Sequence, residues 1–284
     1  MKTGMNLLLW TTHVTQEHFP IISRLKAEGF DGVEIPLFEG DAAHYKKLRA
    51  ELDRNGLGCT AVMCVTPEAN PISEDAKIRT AAVDRLKWGI EMASIIGAEN
   101  LCGPFHSPLA VFTGDPPTEA EKSRGADVLR QAAEIAQSVK VRLCIEYLNR
   151  FECYFLTTAA DAVALVHRVN HPNFRTMFDT FHAHIEEKSQ GGAIHQVAPV
   201  LGHVHISEND RGTPGTGQVN WDDAFSTLRQ VGYDGWVVIE AFGRALPALA
   251  AATKVWRDLF PNPEQVYRRG LAFMRKMWEL NEPI

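Results

Sequence analysis

Short, almost wholly apolar runs of strand length return along the entire chain about every 25–40 residues, with helix-like stretches between them. They lie near 4–10 (GMNLLLW), 32–36 (GVEIP), 59–65 (CTAVMCV) and 100–105 (NLCGPF), and again near 141–148, 174–182, 201–208 and 235–242. A strand that is apolar on both of its alternating faces is buried on both, which marks a parallel sheet covered by helices. The intervening stretches at 17–29, 73–97, 118–138, 158–170, 186–198, 221–231 and 264–279 have amphipathic patterning. The first ends in a glycine stop, Gly29, and the second opens with Ser73 and acids in its first turn. Gly125 weakens the third.

Eightfold strand–helix alternation with right-handed crossovers closes a sheet into a single (β/α)8 TIM barrel, here spanning residues 1–284. The alternative is an open doubly wound sheet, which usually carries a glycine-rich phosphate turn after its first strand. This chain has Trp10-Thr11-Thr12-His13 at that place, which disfavours the open sheet. The glycine-containing segment RGTPGTGQVNW (211–221) is no phosphate loop either, since GxxxxGK[ST] is absent.

A formal charge of −6 argues against a nucleic-acid surface, which needs a basic face. The five cysteines, Cys59, Cys64, Cys102, Cys144 and Cys153, fall mostly inside apolar runs and contain no CxxC spacing. They read as reduced core thiols of a cytoplasmic protein. The apolar run MNLLLW is too short for a signal-peptide core or a membrane span.

In such a barrel the chemistry sits at the C-terminal ends of the strands. Four residues close successive apolar runs there: Glu146 in VRLCIEYL, Asp179 in FRTMFDTFH, His205 in GHVHISE and Glu240 in WVVIEAF. A buried carboxylate is costly unless it is paired, hydrogen-bonded or metal-bound. Any one of these residues could cap a helix or pair with an arginine. All of them in phase with the barrel point to one divalent cation, and an oxygen-rich set with one imidazole suits Mn²⁺, Mg²⁺ or Co²⁺, with Zn²⁺ a further candidate. Glu152, His182 and Arg211 follow the same strand ends and belong on the surrounding loops.

At these residues the chain resembles the ketose 3-epimerases, the D-tagatose, D-allulose (psicose) and L-ribulose 3-epimerases of the xylose-isomerase-like barrels. The motifs that carry the resemblance are EYLNRFE, DTFHAHIEE, GHVHISENDRGTPGTGQVNW and GYDGWVVIEAF, with VWRDL further on and a looser GFDGVEI near the N-terminus. The resemblance implies metal ligands at Glu146, Asp179, His205 and Glu240, with Mn²⁺ as the cation (Co²⁺ or Mg²⁺ as alternatives) and no organic cofactor. It implies that Glu146 and Glu240 are also the acid–base pair, passing a C3 proton across a cis-enediolate, and that Glu152, His182 and Arg211 hold the O1–O3 end of a free ketose. It implies a homodimer or homotetramer. The segment GPFHSPLAVFTGDPP (103–117) departs from the family pattern, and Trp10, Cys64 and His106 are expected to look into the pocket.

Other chemistry on the same barrel competes with this reading. An aldose–ketose or hydroxypyruvate isomerase would work between C1 and C2. A lyase of the inosose dehydratase or C-glycoside-cleaving type would expel a leaving group. An endonuclease-IV-like nuclease would need more histidines and a basic face. A sugar-binding barrel without turnover would not need the acid–base pair.

Overall fold

The computed structural model describes residues 1–281. Its strands are β1 (Lys2–Asn6), β2 (Gly32–Pro36), β3 (Gly58–Val62), β4 (Asn100–Gly103), β5 (Arg142–Ile145), β6 (Phe174–Asp179), β7 (Leu201–Ile206) and β8 (Trp236–Ile239). They pair in parallel and in sequence order, and β1 closes on β8 through Lys2↔Trp236 to Met5↔Ile239. That closure excludes the open sheet and gives the (β/α)8 barrel. The helices are α1 (Phe19–Glu28), α2 (Ala42–Asn55), α3 (Ala76–Ile96), α4 (Glu119–Ser138), α5 (Ala159–Val169), α6 (Thr180–Glu186), α7 (Gln190–Val197), α8 (Trp221–Gln230), α9 (Pro247–Ala252) and α10 (Pro263–Leu280). None of the described helices is long and apolar enough to cross a membrane.

Local chemistry explains where the elements depart from the sequence patterning. The patterning marks no helix between β2 and β3, yet α2 fills that place, capped by Asp41, whose carboxylate accepts from His44 N. Helix α3 starts at Ala76, later than Ser73, because Asp75 is the cap and Ser73 Oγ accepts from Asp75 N. The run 174–182 stops being strand at Asp179, whose Oδ1 accepts from Phe181 N at 2.7 Å and so opens α6. Gly125 is buried in α4; a Cβ there would meet Ile72 at 3.1 Å and Phe155 at 3.5 Å, so close packing outweighs its poor helix propensity.

The barrel interior is built in layers. Near the N-terminal ends of the strands, Gly4, Gly32 and Gly58 stand in register on β1, β2 and β3. The space they leave admits the Trp236 indole from β8, which would touch a Cβ at Gly32 or Gly58. The next layer is polar and buried: Asn6, Glu34 and Thr60, paired in register across β1–β3, face His203 and His205 from β7. The rim above carries the site.

A methyl group at Gly32 would lie 2.4 Å from both the Gly58 carbonyl oxygen and the Trp236 ring. Backbone cannot yield cheaply, so Gly32→Ala should destabilise by about 1–3 kcal/mol, seen as a melting temperature lower by roughly 2–10 °C. An unchanged melting temperature would contradict this account of the barrel floor.

Candidate active site

Glu146 directly follows β5, Asp179 ends β6, His205 is one residue from the end of β7, and Glu240 directly follows β8. The closed barrel therefore delivers them side by side. Each offers one ligand atom, these atoms lie within 4.8 Å of one another, and all four residues are buried. Asp179 does two jobs: Oδ1 caps α6 while Oδ2 faces Arg211 and His205.

The electrostatics of this cluster are unbalanced. Burial pushes the Glu146 carboxyl above its ordinary range, and the Glu240 charge pushes the same way against the pull of His182. Burial also acts on Asp179, but the His205 ring and the Arg211 guanidinium overcome it and hold its carboxyl well below the usual range. His205 Nδ1 is buried with no hydrogen-bond partner; Glu240 Oε1 lies 3.5 Å away and Asp179 Oδ2 3.7 Å away. An orphaned imidazole nitrogen among carboxylates is the donor set that a divalent cation would complete.

Arg211 is the counter-charge already in place. Its Nη1 donates to Glu240 Oε2 at 2.9 Å and lies 3.5 Å from Asp179 Oδ2, and its guanidinium stacks 3.7 Å from the Phe181 ring centre. Its Nη2 lies 3.2 Å from His182 Nε2 and 3.8 Å from Glu152 Oε1. His182 Nδ1 accepts from the Asn149 backbone N at 3.0 Å, and Asn149 Nδ2 lies 3.1 Å from it. With Nδ1 accepting, the ring proton sits on Nε2, 3.5 Å from Glu146 Oε1. Glu152 is fixed by Asn149 Nδ2 at 2.9 Å.

A cavity opens onto this cluster. Glu146, Glu152, His182, Arg211 and Glu240 form its polar side, and Leu8, Phe38, Val62, Leu109, Leu148, Phe242 and Leu249 its apolar side. Cys64 is on the wall, with a thiol that burial pushes up to about 12, so it stays protonated. Trp10 and His106 are not on that wall. The 3₁₀ turn Leu7–Leu9 redirects the chain, and Trp10 packs against Tyr267 with ring centres 6.1 Å apart. His106 is fully buried beside Phe155, with Nδ1 2.8 Å from Ser107 Oγ, and burial lowers its pKa to about 3, keeping it neutral.

The family model for the Xylose isomerase-like TIM barrel matches residues 22–277. The chain is 32% identical to the D-psicose 3-epimerase of Agrobacterium fabrum over 284 residues, covering 97% of this chain and 98% of that protein. It belongs to the ketose 3-epimerases of the xylose isomerase-like barrels. Among solved structures it is similar to a D-psicose 3-epimerase with D-tagatose from Clostridium cellulolyticum H10, with a TM-score of 0.91, 30% identity and 100% of both chains covered. It is also similar to an L-ribulose 3-epimerase, with a TM-score of 0.94, 26% identity, and coverage of 99% of this chain and 96% of that one. Ketose 3-epimerases are isomerases, so the chain is assigned to that enzyme class.

Glu34, Asn6 and His203 lie directly beneath the site and are not among the residues that the strand-end pattern marks. Glu34 accepts from Asn6, Thr60 and Cys102 and contacts the Nε2 atoms of His203 and His205 at 2.8 and 2.7 Å. Burial works against its charge, but the two imidazoles hold its carboxyl well below the ordinary range. The signal that marks Glu34 in the sequence is an acid in the middle of the apolar run GVEIP.

If the orphaned nitrogen and the crowded carboxylates mark a cation site, adding Mn²⁺ should raise the melting temperature and EDTA should reverse the rise. A cation at about a hundred times its Kd adds about 2.7 kcal/mol, a rise of roughly 5–10 °C. Indifference to Mn²⁺, Co²⁺ and Mg²⁺ alike would remove the cation from the site.

Proposed function

We propose that this protein epimerises free ketoses at C3, as one barrel domain of residues 1–284, with Glu146 and Glu240 as the acid–base pair. One observation carries the reading. The two glutamates leave the barrel from β5 and β8, with β6 and β7 between them, and both line one cavity. Two carboxylates on one small cavity can reach opposite faces of one carbon. The kinship with proteins named D-psicose and L-ribulose 3-epimerases supports the same reaction.

A divalent cation held by Glu146, Asp179, His205 and Glu240 would supply positive charge to the negative charge that develops on the ketose oxygens; we propose Mn²⁺, with Co²⁺ or Mg²⁺ as substitutes. The protein's own groups do the rest. One glutamate takes the C3 proton, the C–H electron pair becomes the C2–C3 π bond, and the C2 carbonyl π pair moves onto O2, giving a cis-enediolate. The other glutamate gives a proton to the opposite face, and the configuration at C3 inverts. No electrons leave the sugar, so no organic redox cofactor is required. His182 Nε2–H and Arg211 donate to the sugar oxygens at the O1–O3 end, and Glu152 accepts from a hydroxyl there. The far end meets Phe38, Leu109 and Leu249. Apolar walls discriminate by only about 1–3 kcal/mol, so several ketoses should turn over.

The protein is proposed to act as a homodimer or homotetramer. Phe151, 66% exposed after β5, and Trp256, 69% exposed after α9, are large apolar side chains that a subunit interface would cover. Its five cysteines are unpaired, in keeping with a cytoplasmic setting.

Two measurements test the reaction. Protein reconstituted with Mn²⁺ should exchange deuterium into C3 of D-fructose, D-tagatose or L-ribulose in D₂O, with inversion at that carbon. Exchange confined to C1 or C2 with aldose formation would make it an aldose–ketose isomerase, and loss of water would make it a lyase. Glu146→Gln and Glu240→Gln should each lower turnover by about 10²–10⁴-fold; near-normal turnover in either variant would sink the two-glutamate scheme.

A further inference from the structure

Glu34 takes no part in the acid–base scheme, yet it is the most heavily bonded side chain beneath the site. It lies in the middle of β2 with no solvent exposure. Oε1 accepts from Asn6 Nδ2 at 3.0 Å and lies 2.7 Å from His205 Nε2. Oε2 accepts from Thr60 Oγ1 at 2.8 Å and Cys102 Sγ at 3.2 Å, and lies 2.8 Å from His203 Nε2. A carboxylate is acceptor-only, so both imidazoles turn an N–H toward it.

We infer that Glu34 is the positioning residue of the centre, fixing the His205 ring with Nε2–H on Glu34 and Nδ1 toward the carboxylates, and steadying Glu240 through Asn6. The inference rests on the cation site proposed above. The path to Glu240 is short, because the Asn6 amide that donates to Glu34 also donates to Glu240 Oε1 at 3.1 Å, while Asn6 Oδ1 is tied to Leu8 N at 2.9 Å. A carboxylate behind a ligating imidazole sets which nitrogen keeps its lone pair.

The same geometry argues against a second cation at Glu34, Cys102, His203 and His205, although their ligand atoms also cluster within 4.8 Å. Their polar atoms already bond one another, and burial pushes the Cys102 thiol well above its ordinary value, so it stays a donor. The space is filled by hydrogen bonds.

Glu34→Gln is the informative change, since it keeps the shape and turns one acceptor into a donor. His203 cannot readily adapt. Its Nδ1 lies 3.4 Å from Asn100 Nδ2, which is oriented by its bond to the Gly202 carbonyl at 3.1 Å, so Nδ1 must stay unprotonated. The new amide N–H is therefore driven toward Oε1's place, where His205 must shift its proton to Nδ1 and lose the lone pair that faces the centre.

The experiment pairs Mn²⁺ titration, by calorimetry or by the free-ion electron paramagnetic resonance signal, with ¹⁵N–¹H NMR of imidazole-labelled protein. Wild type should show a carboxylate-bonded Nε2–H on His205, with Nδ1 unprotonated once Mg²⁺ is added. Glu34→Gln should lose that signature and bind Mn²⁺ about 10–100-fold more weakly, with turnover recovering in part at saturating Mn²⁺. A merely structural role would lower the melting temperature and leave the tautomer and the Mn²⁺ affinity of the folded protein unchanged. That result would overturn the inference. If Glu34→Gln does not fold, the wild-type spectrum still decides: an unprotonated His205 Nε2 refutes the assignment. A wild type that binds no cation refutes the cation site, and the His205 Nε2–H signature then still tests Glu34 separately.

Discussion

Three buried carboxylates brought together at the barrel mouth repel one another, and much of this structure is organised around that repulsion. Two unit charges about 4 Å apart cost about 4 kcal/mol at an effective dielectric constant near 20. Arg211 answers part of the charge of Glu240 and Asp179 by direct contact. The His205 ring lies between those two carboxylates with one nitrogen left open. What remains is a cluster of buried carboxylates converging on one point, a donor set that a divalent cation would complete.

The scaffold keeps this charge in place by spending each layer of the barrel differently. Glycines on three neighbouring strands let Trp236 fill the floor. Above it a polar layer centred on Glu34 replaces the usual aliphatic packing, and its bonds run upward into His205 and Glu240. The rim loops then supply groups that no strand could place. Arg211 has φ +67°, a left-handed backbone that is uncommon for a residue with a Cβ. It is held there by Arg211 N donating to the Glu208 carbonyl and by its own carbonyl accepting from Phe242 N. The buried Glu208 carboxylate in turn accepts from Gly215 N and Val219 N, pinning the loop that follows. The guanidinium is thus positioned by backbone bonds from β7 and β8 territory together.

Much of the fold could be read from the chain because parallel strands buried on both faces leave uninterrupted apolar runs. Glu146, Asp179, His205 and Glu240 stood out for the same reason, as each interrupts such a run at the end where barrel chemistry sits. Helix α2 was not legible: AAHYKKLRAELDRN is mostly polar, and its apolar face is narrow. Helix α9 was not legible either, being a short alanine-rich segment that begins with a proline. Trp10 and His106 are expected in the pocket, but the direction of a side chain past the last strand residue depends on the turn that follows. Leu7–Leu9 and the segment after Gly103 both turn those rings into the packing.

The sequence alone determined the alternation, the closed parallel barrel and the strand-end residues, because these follow from local periodicity and from where an acid interrupts an apolar run. Only the tertiary structure decided which polar groups meet. Glu34 and His205 are 171 positions apart and touch at 2.7 Å; Asn6 and Glu240 are 234 apart and touch at 3.1 Å. No local pattern encodes such pairs, since they arise from the closure of β1 on β8 and the register that closure imposes on every side chain inside the barrel.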